Sequence, residues 1–245
     1  MRAARRVGLL IVLTSVGLLP AAVDAGEHLS DAQVQKVVED ALLDQEISGV
    51  DVLVDAGSVT LRGMVACAWD RDEAERTALR ARDVRSVANE ITVARSESDA
   101  ALAGEVDRRI QHFVLYSVFD DVRVVVRDAA VTLEGSVTMA SKASDIARLV
   151  SRVRGVRAVD NRIQTLPAST LDDELRIEVA SHIYSDPLFE AYAFRADPPI
   201  HVVVEGGRVT LTGTVASRVE RLKAELDARD AFGVMGVENR LQVAS

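Results

Sequence analysis

The chain has very little cysteine, since Cys67 is the single one among its 245 residues. A protein with one cysteine has no intramolecular disulfide, so hydrophobic cores must supply its stability. Aromatic residues make up 4% of the sequence, and it contains five prolines. The formal net charge is −9, which argues against a nucleic-acid partner because such binding requires a basic surface.

Long apolar runs are also scarce, and the run from Val7 to Leu19 is the longest in the chain. Three arginines precede it, and small residues ending at Ala25 follow it. This order is typical of a secretory signal peptide, and the run is short for a membrane span. We therefore expect residues 1–25 to be removed and the protein to be exported, with the periplasm as its compartment.

Two short motifs recur three times in fixed phase. One is a heptapeptide, V-T-L-x-G-x-V, and the other is an ending, V-x-N-x-[IL]. Their glycines and asparagines are Gly63, Gly135, Gly213, Asn89, Asn161 and Asn239. Both sets are separated by 72 and then 78 residues, which indicates internal repeats. The sequence therefore predicts three domains, at residues 28–95, 100–166 and 170–244.

Periodicity within each copy identifies its elements. In the second copy, Val106 and Ile110 share a helical face, and Val122, Val124 and Val126 then alternate with other residues as in a strand. The heptapeptide forms a second strand after a turn, an alanine-rich charged segment forms a second helix, and the asparagine motif forms a third strand. The predicted fold class is α+β, with three tandem α-β-β-α-β domains, each a three-stranded mixed sheet covered on one face by two helices.

The glycine of each heptapeptide lies in the inward-facing row of its strand. A small sheet with two helices buries one face, so a side chain at this position would hold a helix off the sheet. Close packing of a helix is therefore the predicted reason for Gly135. A backbone contact with a ligand is the alternative.

The element order, the V-T-L-x-G-x-V strand and the ending G-V-x-x-V-x-N-x-[IL] together resemble BON domains. The resemblance extends over residues 30–244, although Asp83 replaces the glycine of the ending in the first copy. It implies an exported, non-enzymatic protein of OsmY-like type, with a role in envelope maintenance or osmotic stress. It also implies binding of anionic phospholipid, as in some members, or chaperone-like binding of envelope proteins, as in others.

The second copy contains a basic segment, residues 141–162, with a net charge of +4. Arg148 and Arg152 are one helical turn apart, so their guanidinium groups lie on one face of the helix and can both contact a single phosphate. Near an anionic bilayer each basic residue contributes about 1 kcal/mol. The predicted lipid-binding residues are Lys142, Arg148, Arg152, Arg154 and Arg157. The alternative is a solvated helix face that pairs with acids of a neighbouring copy.

The third copy contains an insert, residues 185–199, that reads SDPLFEAYAFRADPP. Clustered aromatic residues on a loop are typical of a contact with a partner. The predicted partner-binding residues are Leu188, Phe189, Tyr192 and Phe194. The alternative is that the insert folds back as a lid over the core of its own domain.

The outward face of the first strand carries an aliphatic residue at the same position in every copy, namely Leu53, Val125 and Val203. Met64 is expected beside Leu53 on the neighbouring strand. This repetition predicts packing between the copies, with oligomer formation as the alternative.

Catalytic and metal-binding patterns are missing from the sequence. The four histidines lack the spacing of metal ligands, and no phosphate-cradling loop or nucleophile elbow occurs. We therefore expect no enzyme, no metal, no cofactor and no small-molecule substrate. Cys67 is the one candidate nucleophile, at the predicted start of a helix, where a thiol can be activated. A buried, inert thiol is the interpretation that we favour there.

Overall fold

The computed structural model describes residues 28–95, 97–195 and 198–244, so the predicted signal peptide lies outside the described residues. The helices are α1 (Asp31–Asp44), α2 (Ala68–Arg80), α3 (Asp99–Gln111), α4 (Ala140–Ser151), α5 (Thr170–Ser185), α6 (Glu190–Ala193) and α7 (Arg218–Asp230). The strands are β1 (Val50–Asp55), β2 (Ser58–Val65), β3 (Ser86–Val93), β4 (Asp121–Arg127), β5 (Ala130–Val137), β6 (Ala158–Thr165), β7 (Ile200–Glu205), β8 (Arg208–Val215), β9 (Gly236–Asn239) and β10 (Gln242–Val243).

The three domains share one topology, and the predicted fold class is confirmed. In domain 1 (residues 28–95) and domain 2 (residues 100–166), the heptapeptide strand is central, antiparallel to the first strand and parallel to the third. Domain 3 (residues 170–244) differs in that its third strand is split into β9 and β10, which both pair with β8. Alternating apolar residues place one face of each sheet against its helices, as the period-two pattern requires.

The repeated glycine is explained by the neighbouring strand and not by a helix. Gly135 has a φ of +122°, and a Cβ there would lie 2.0 Å from the carbonyl oxygen of Asp121 in β4. Gly63 and Gly213 make the same close approach to Gly49 and Pro199. Glycine alone adopts this φ without strain, so the predicted role in helix packing was wrong. The motif permits a close approach of the backbones of the first two strands, which pair antiparallel.

The repeated asparagine connects the third strand to the second helix. Asn161 Nδ2 donates to the carbonyl of Ala143 in the first turn of α4 at 3.0 Å, and its Oδ1 accepts from the amide of Ile163 at 3.2 Å. Asn89 and Asn239 make the same pair of contacts in their domains. The amide group is suited to this bridge because it is donor and acceptor at once. The two sequence motifs are therefore structural.

Domain 1 is joined to domain 2 by backbone hydrogen bonds. The amide of Ala68 donates to Val156 O at 2.8 Å, and the amide of Gly155 donates to Ala66 O at 2.9 Å. Ala68 is buried within the core cluster of domain 2. The segment that begins α2 thus docks on the loop that follows α4.

Domain 2 is joined to domain 3 on a different side. The amide of Val202 in β7 donates to Val118 O at 2.6 Å, and Phe119 packs against the core of domain 3. The rings of Tyr116 and His201 lie with their centroids 5.6 Å apart. These contacts bring the outward sheet face of domain 3 toward β4 of domain 2 and leave a cleft between them.

Candidate functional site

Lys142, the first of the predicted lipid-binding residues, is buried, so the prediction was wrong for this residue. Its Nζ lies 2.7 Å from Asp120 Oδ2 and donates to Thr138 Oγ1 at 2.8 Å. Asp120 is fully buried and also accepts hydrogen bonds from Ser117 and Thr138. A cation enclosed in this way has no route to a membrane surface. Lys142 is part of the internal support of domain 2.

The four arginines of the set are exposed, but two of them already have neighbours. The guanidinium of Arg152 lies 4.1 Å from the centroid of the Trp69 ring, so it faces domain 1. Arg148 is paired with Asp145 in the preceding turn. Arg154 and Arg157 are exposed on the loop after α4. The structure therefore disperses the predicted cluster, and a lipid contact there involves at most Arg148, Arg154 and Arg157.

The insert of domain 3 is mainly a cover for its own core. Phe189 is fully buried in that core, so the prediction of a partner contact was wrong for this residue. Tyr192 is half-buried, and its hydroxyl donates to Glu220 Oε2 at 2.7 Å. Burial and this hydrogen bond raise the pKa of Tyr192, so the phenol stays protonated and holds the insert against α7. Leu188 and Phe194 remain exposed, Phe194 at 84%.

The outward aliphatic residues do not share one explanation. Val203 is half-buried and lines a second cleft between domains 2 and 3. Leu53 is 50% exposed, so the expectation of packing between copies fails for domain 1. The register pairs Leu53 with Thr60, which separates it from Met64 along the strand. The two residues therefore form no joint patch.

Cys67 is buried immediately before α2, where it meets the interface with domain 2. Desolvation by this burial raises the pKa of the thiol, although nearby backbone amides act in the opposite direction. A raised thiol pKa leaves the sulfur protonated near neutral pH, and a protonated thiol is a poor nucleophile. The structure thus favours the inert interpretation of Cys67.

The most unusual exposed feature lies on α7. Val219, Leu222 and Leu226 are 67%, 63% and 58% exposed and follow one another at helical spacing. We call these three residues the α7 stripe. Phe232 is 89% exposed just beyond the helix. Scattered apolar residues are normal on a surface, but a row on the solvent side of a helix is typical of a binding face.

Sequence reasoning missed the α7 stripe because the helix has two apolar rows. The buried row consists of alanines, Ala224 and Ala228, which let the helix lie close to its sheet. A hydrophobicity argument places the larger leucines inward. The repeat alignment contains the missing signal, because Ala74 and Ala78 are buried at the equivalent positions of α2.

Basic residues border the α7 stripe. By helical spacing, Arg218 and Arg229 lie on one side of it and Lys223 on the other. Arg218 and Arg229 are exposed, although Arg229 pairs with Glu225. Lys223 pairs with Asp186 and Asp227. The face is therefore apolar along its centre, and its borders carry basic residues together with acidic ones, including the partners of Arg229 and Lys223 and the exposed Asp230.

None of the helices in the described part of the chain has the length and apolar content needed to cross a membrane. Within the same residues, no group of three or more histidine, cysteine, aspartate or glutamate side chains is placed to hold a metal ion.

Comparisons with known proteins identify the repeated unit. The family model described as "BON domain" matches residues 30–95, 98–167 and 172–245. A search of curated proteins gives no significant match. The C-terminal domain of CdsD, a structural protein of the type III secretion system of Chlamydia trachomatis, is similar at 15% identity, over 89% of this chain and 100% of that one, with a TM-score of 0.26.

The periplasmic domain of the type III secretion inner membrane protein PrgH from S. typhimurium is similar at 13% identity. The alignment covers 84% of this chain and 100% of that one, with a TM-score of 0.20. Neither likeness identifies the fold or the role of this chain. The family match is the informative result.

Proposed function

Because the chain belongs to the BON domain family and consists of three such domains in tandem, we propose that it is a non-enzymatic, exported protein of the cell envelope. Its expected compartment is the periplasm, and its expected role is envelope maintenance, including osmotic stress. Within that role, we propose that it attaches peripherally to an anionic phospholipid surface. The observation that carries this proposal is the α7 stripe of domain 3.

The energy of such an attachment has two sources. Each leucine of the α7 stripe is about two-thirds exposed, so transfer of the pair into the acyl boundary contributes about 2 kcal/mol. Each nearby arginine contributes up to about 1 kcal/mol at an anionic surface. The net charge of −9 opposes approach, so the apolar contact has to supply most of the affinity. Binding should therefore be weak, reversible and partly sensitive to salt.

We expect the exported form, residues 26–245, to co-sediment with vesicles of mixed phosphatidylglycerol and phosphatidylcholine, and less with phosphatidylcholine alone. Replacement of Leu222 and Leu226 by serine should lower the partition coefficient by about thirty-fold, which corresponds to about 2 kcal/mol. Both side chains are exposed, so the variant should keep its circular dichroism spectrum and thermal midpoint.

The matched control is the pair Leu43→Ser and Leu53→Ser in domain 1, whose side chains are 66% and 50% exposed. It should bind vesicles like the unmodified protein. Equal losses in the two double variants would contradict a specific contact through α7. If the double variant Arg148→Glu with Arg154→Glu lost vesicle binding and the variant of Leu222 and Leu226 did not, the membrane contact would lie in domain 2.

A protein-binding or chaperone-like adaptor is the alternative function. The observation that favours it is the exposure of Phe194 and Leu188 on the insert of domain 3. The same vesicle assay separates the two functions, because Leu188→Ser with Phe194→Ser should leave lipid binding unchanged if the α7 stripe is the membrane contact.

A further inference from the structure

A cleft with a volume of about 1070 Å³ lies between domains 2 and 3. Domain 2 contributes one wall through α3, Tyr116 and β4, and domain 3 contributes the other through β7, β8 and the end of the insert. The cleft opens to solvent, and its innermost polar residues are His201 and Thr212, which are both more than nine-tenths buried.

Two polar atoms in this cleft lack a partner. His201 Nδ1 and Thr212 Oγ1 are buried, and neither makes a hydrogen bond with the described residues. The two residues lie directly opposite each other in the β7–β8 ladder, so both atoms belong to one place. A buried polar group without a partner costs about 1–3 kcal/mol. Two of them side by side in residues that form the wall of the cleft point to a ligand that supplies the missing hydrogen bonds.

The other domains show that this pair is particular to domain 3. At the same register, domain 1 has Asp51 opposite Arg62. Domain 2 has Arg123 opposite Glu134. Those are pairs of opposite charge, whereas His201 and Thr212 are not. The cover provided by domain 2 accounts for the loss of charge, because buried ion pairs are hard to desolvate. It does not account for the retention of two polar groups where apolar residues would pack.

The charges at the rim indicate the class of ligand. Arg123, Arg195 and Arg240 line the cleft together with two carboxylates, Asp107 and Asp121. Arg240 is paired with Glu238, and Arg123 lies 3.8 Å from Glu134. The guanidinium of Arg195 lies over the ring of Tyr192, 4.8 Å from its centroid, and has no ion pair within the described residues. Arg195 therefore provides a cation, and the N–H donors of its planar guanidinium group are suited to a phosphate or carboxylate.

We propose that this cleft binds a small soluble oxyanion, a phosphate or carboxylate group carried by a low-molecular-weight molecule. Thr212 Oγ1 donates one hydrogen bond to it, and His201 donates another from Nδ1 when that nitrogen carries the proton. Arg195 provides the charge at the entrance. The three contacts come from domain 3, and domain 2 forms the opposite wall of the site. This inference does not rest on the proposed membrane attachment.

The test is a titration of the exported form with sodium phosphate, sodium acetate and glycerol 3-phosphate, followed by the imidazole signals in ¹H–¹⁵N NMR spectra. Sodium chloride at matched ionic strength serves as the reference. The chain has four histidines, so each signal can be assigned by substitution. We expect a saturable shift of the His201 signal with at least one of the three anions and no comparable shift of His28, which is exposed in domain 1.

Thr212→Val keeps the shape of the side chain and removes its hydroxyl. It should weaken oxyanion binding at least five-fold, whereas Thr60→Val in domain 1 should leave it unchanged. The variant should remain folded, because the hydroxyl that it removes makes no hydrogen bond with the described residues. Equal affinities of the unmodified protein and Thr212→Val, or shifts no larger than those with chloride, would overturn the proposal. A shift of the His201 signal with anionic vesicles but with none of the three small anions would overturn the proposal as well. In that case the arginines of the cleft would contact a membrane surface.

Discussion

Replacement of Gly135 by alanine is expected to unfold domain 2 far below the denaturant concentration that unfolds the unmodified protein. The added Cβ would lie 2.0 Å from Asp121 O, at a φ of +122° that side chains rarely adopt. Since the obstacle is backbone in a paired strand, no rotamer change relieves it. The loss should be roughly 3–5 kcal/mol, a large part of the stability of a domain of this size. Urea unfolding, followed by hydrogen exchange at the backbone amides of β4–β6, measures this loss of stability.

Gly104 provides the matched control. It lies within α3 of the same domain, and a Cβ there would meet nothing within 4 Å. Gly104→Ala should therefore stabilise domain 2 by about 0.5–1 kcal/mol, because alanine is the better helix former. If the free energy of unfolding of the Gly135→Ala variant were within about 1 kcal/mol of that of the unmodified protein, the steric explanation of the heptapeptide would be wrong.

Replacement of Lys142 by methionine is expected to destabilise domain 2 by roughly 3–5 kcal/mol near neutral pH. The change removes the cation that lies 2.7 Å from the fully buried carboxylate of Asp120. The carboxylate keeps its hydrogen bonds from Ser117 and Thr138 but loses its counter-charge in a site without water access. Urea unfolding of the exported form, followed by circular dichroism, measures the difference.

Arg148→Met is the control for Lys142→Met, because Arg148 is exposed and pairs with Asp145 on the surface of the same helix. It should change stability by less than about 1 kcal/mol. The double variant Asp120→Asn with Lys142→Met should be more stable than Lys142→Met alone, since it leaves no unpaired charge. A loss for Lys142→Met no larger than that for Arg148→Met would contradict the buried ion pair.

The repeated fold can be predicted from the sequence because the patterns that indicate it are local and occur in all three copies. Alternating valines, turn residues and the phased glycine and asparagine predict element type and order without knowledge of any long-range contact. The reason for the glycine was not accessible. Val122 pairs with Gly135 in the β4–β5 ladder, and the carbonyl of Asp121 lies against Gly135. This contact between two strands leaves no periodic signal in the sequence.

The candidate sites were less accessible because each depends on which face of an element is covered. The charge of Lys142 predicts a surface residue, but its partner Asp120 lies 22 residues earlier, immediately before β4. The guanidinium of Arg152 lies over the Trp69 ring only because domains 1 and 2 are in contact there. The cleft at His201 likewise exists only because of the angle between two domains. Contacts between domains leave no periodic signal in a sequence.

Cys67 makes a direct test of the membrane contact practical. It is buried, with a raised thiol pKa, so a nitroxide reagent should label an introduced surface cysteine selectively. Labels at Leu222→Cys on α7 and at Leu43→Cys in domain 1 report two separate surfaces with similar exposure. Power saturation of each label, with oxygen and with a water-soluble nickel chelate, measures immersion in a bilayer.

This measurement shows whether α7 of domain 3 enters the bilayer. With anionic vesicles, the label at position 222 should become more accessible to oxygen and less accessible to the chelate, while the label at position 43 stays unchanged. Vesicle-bound protein in which the label at position 222 keeps the accessibility that it has in water would contradict a membrane contact through α7.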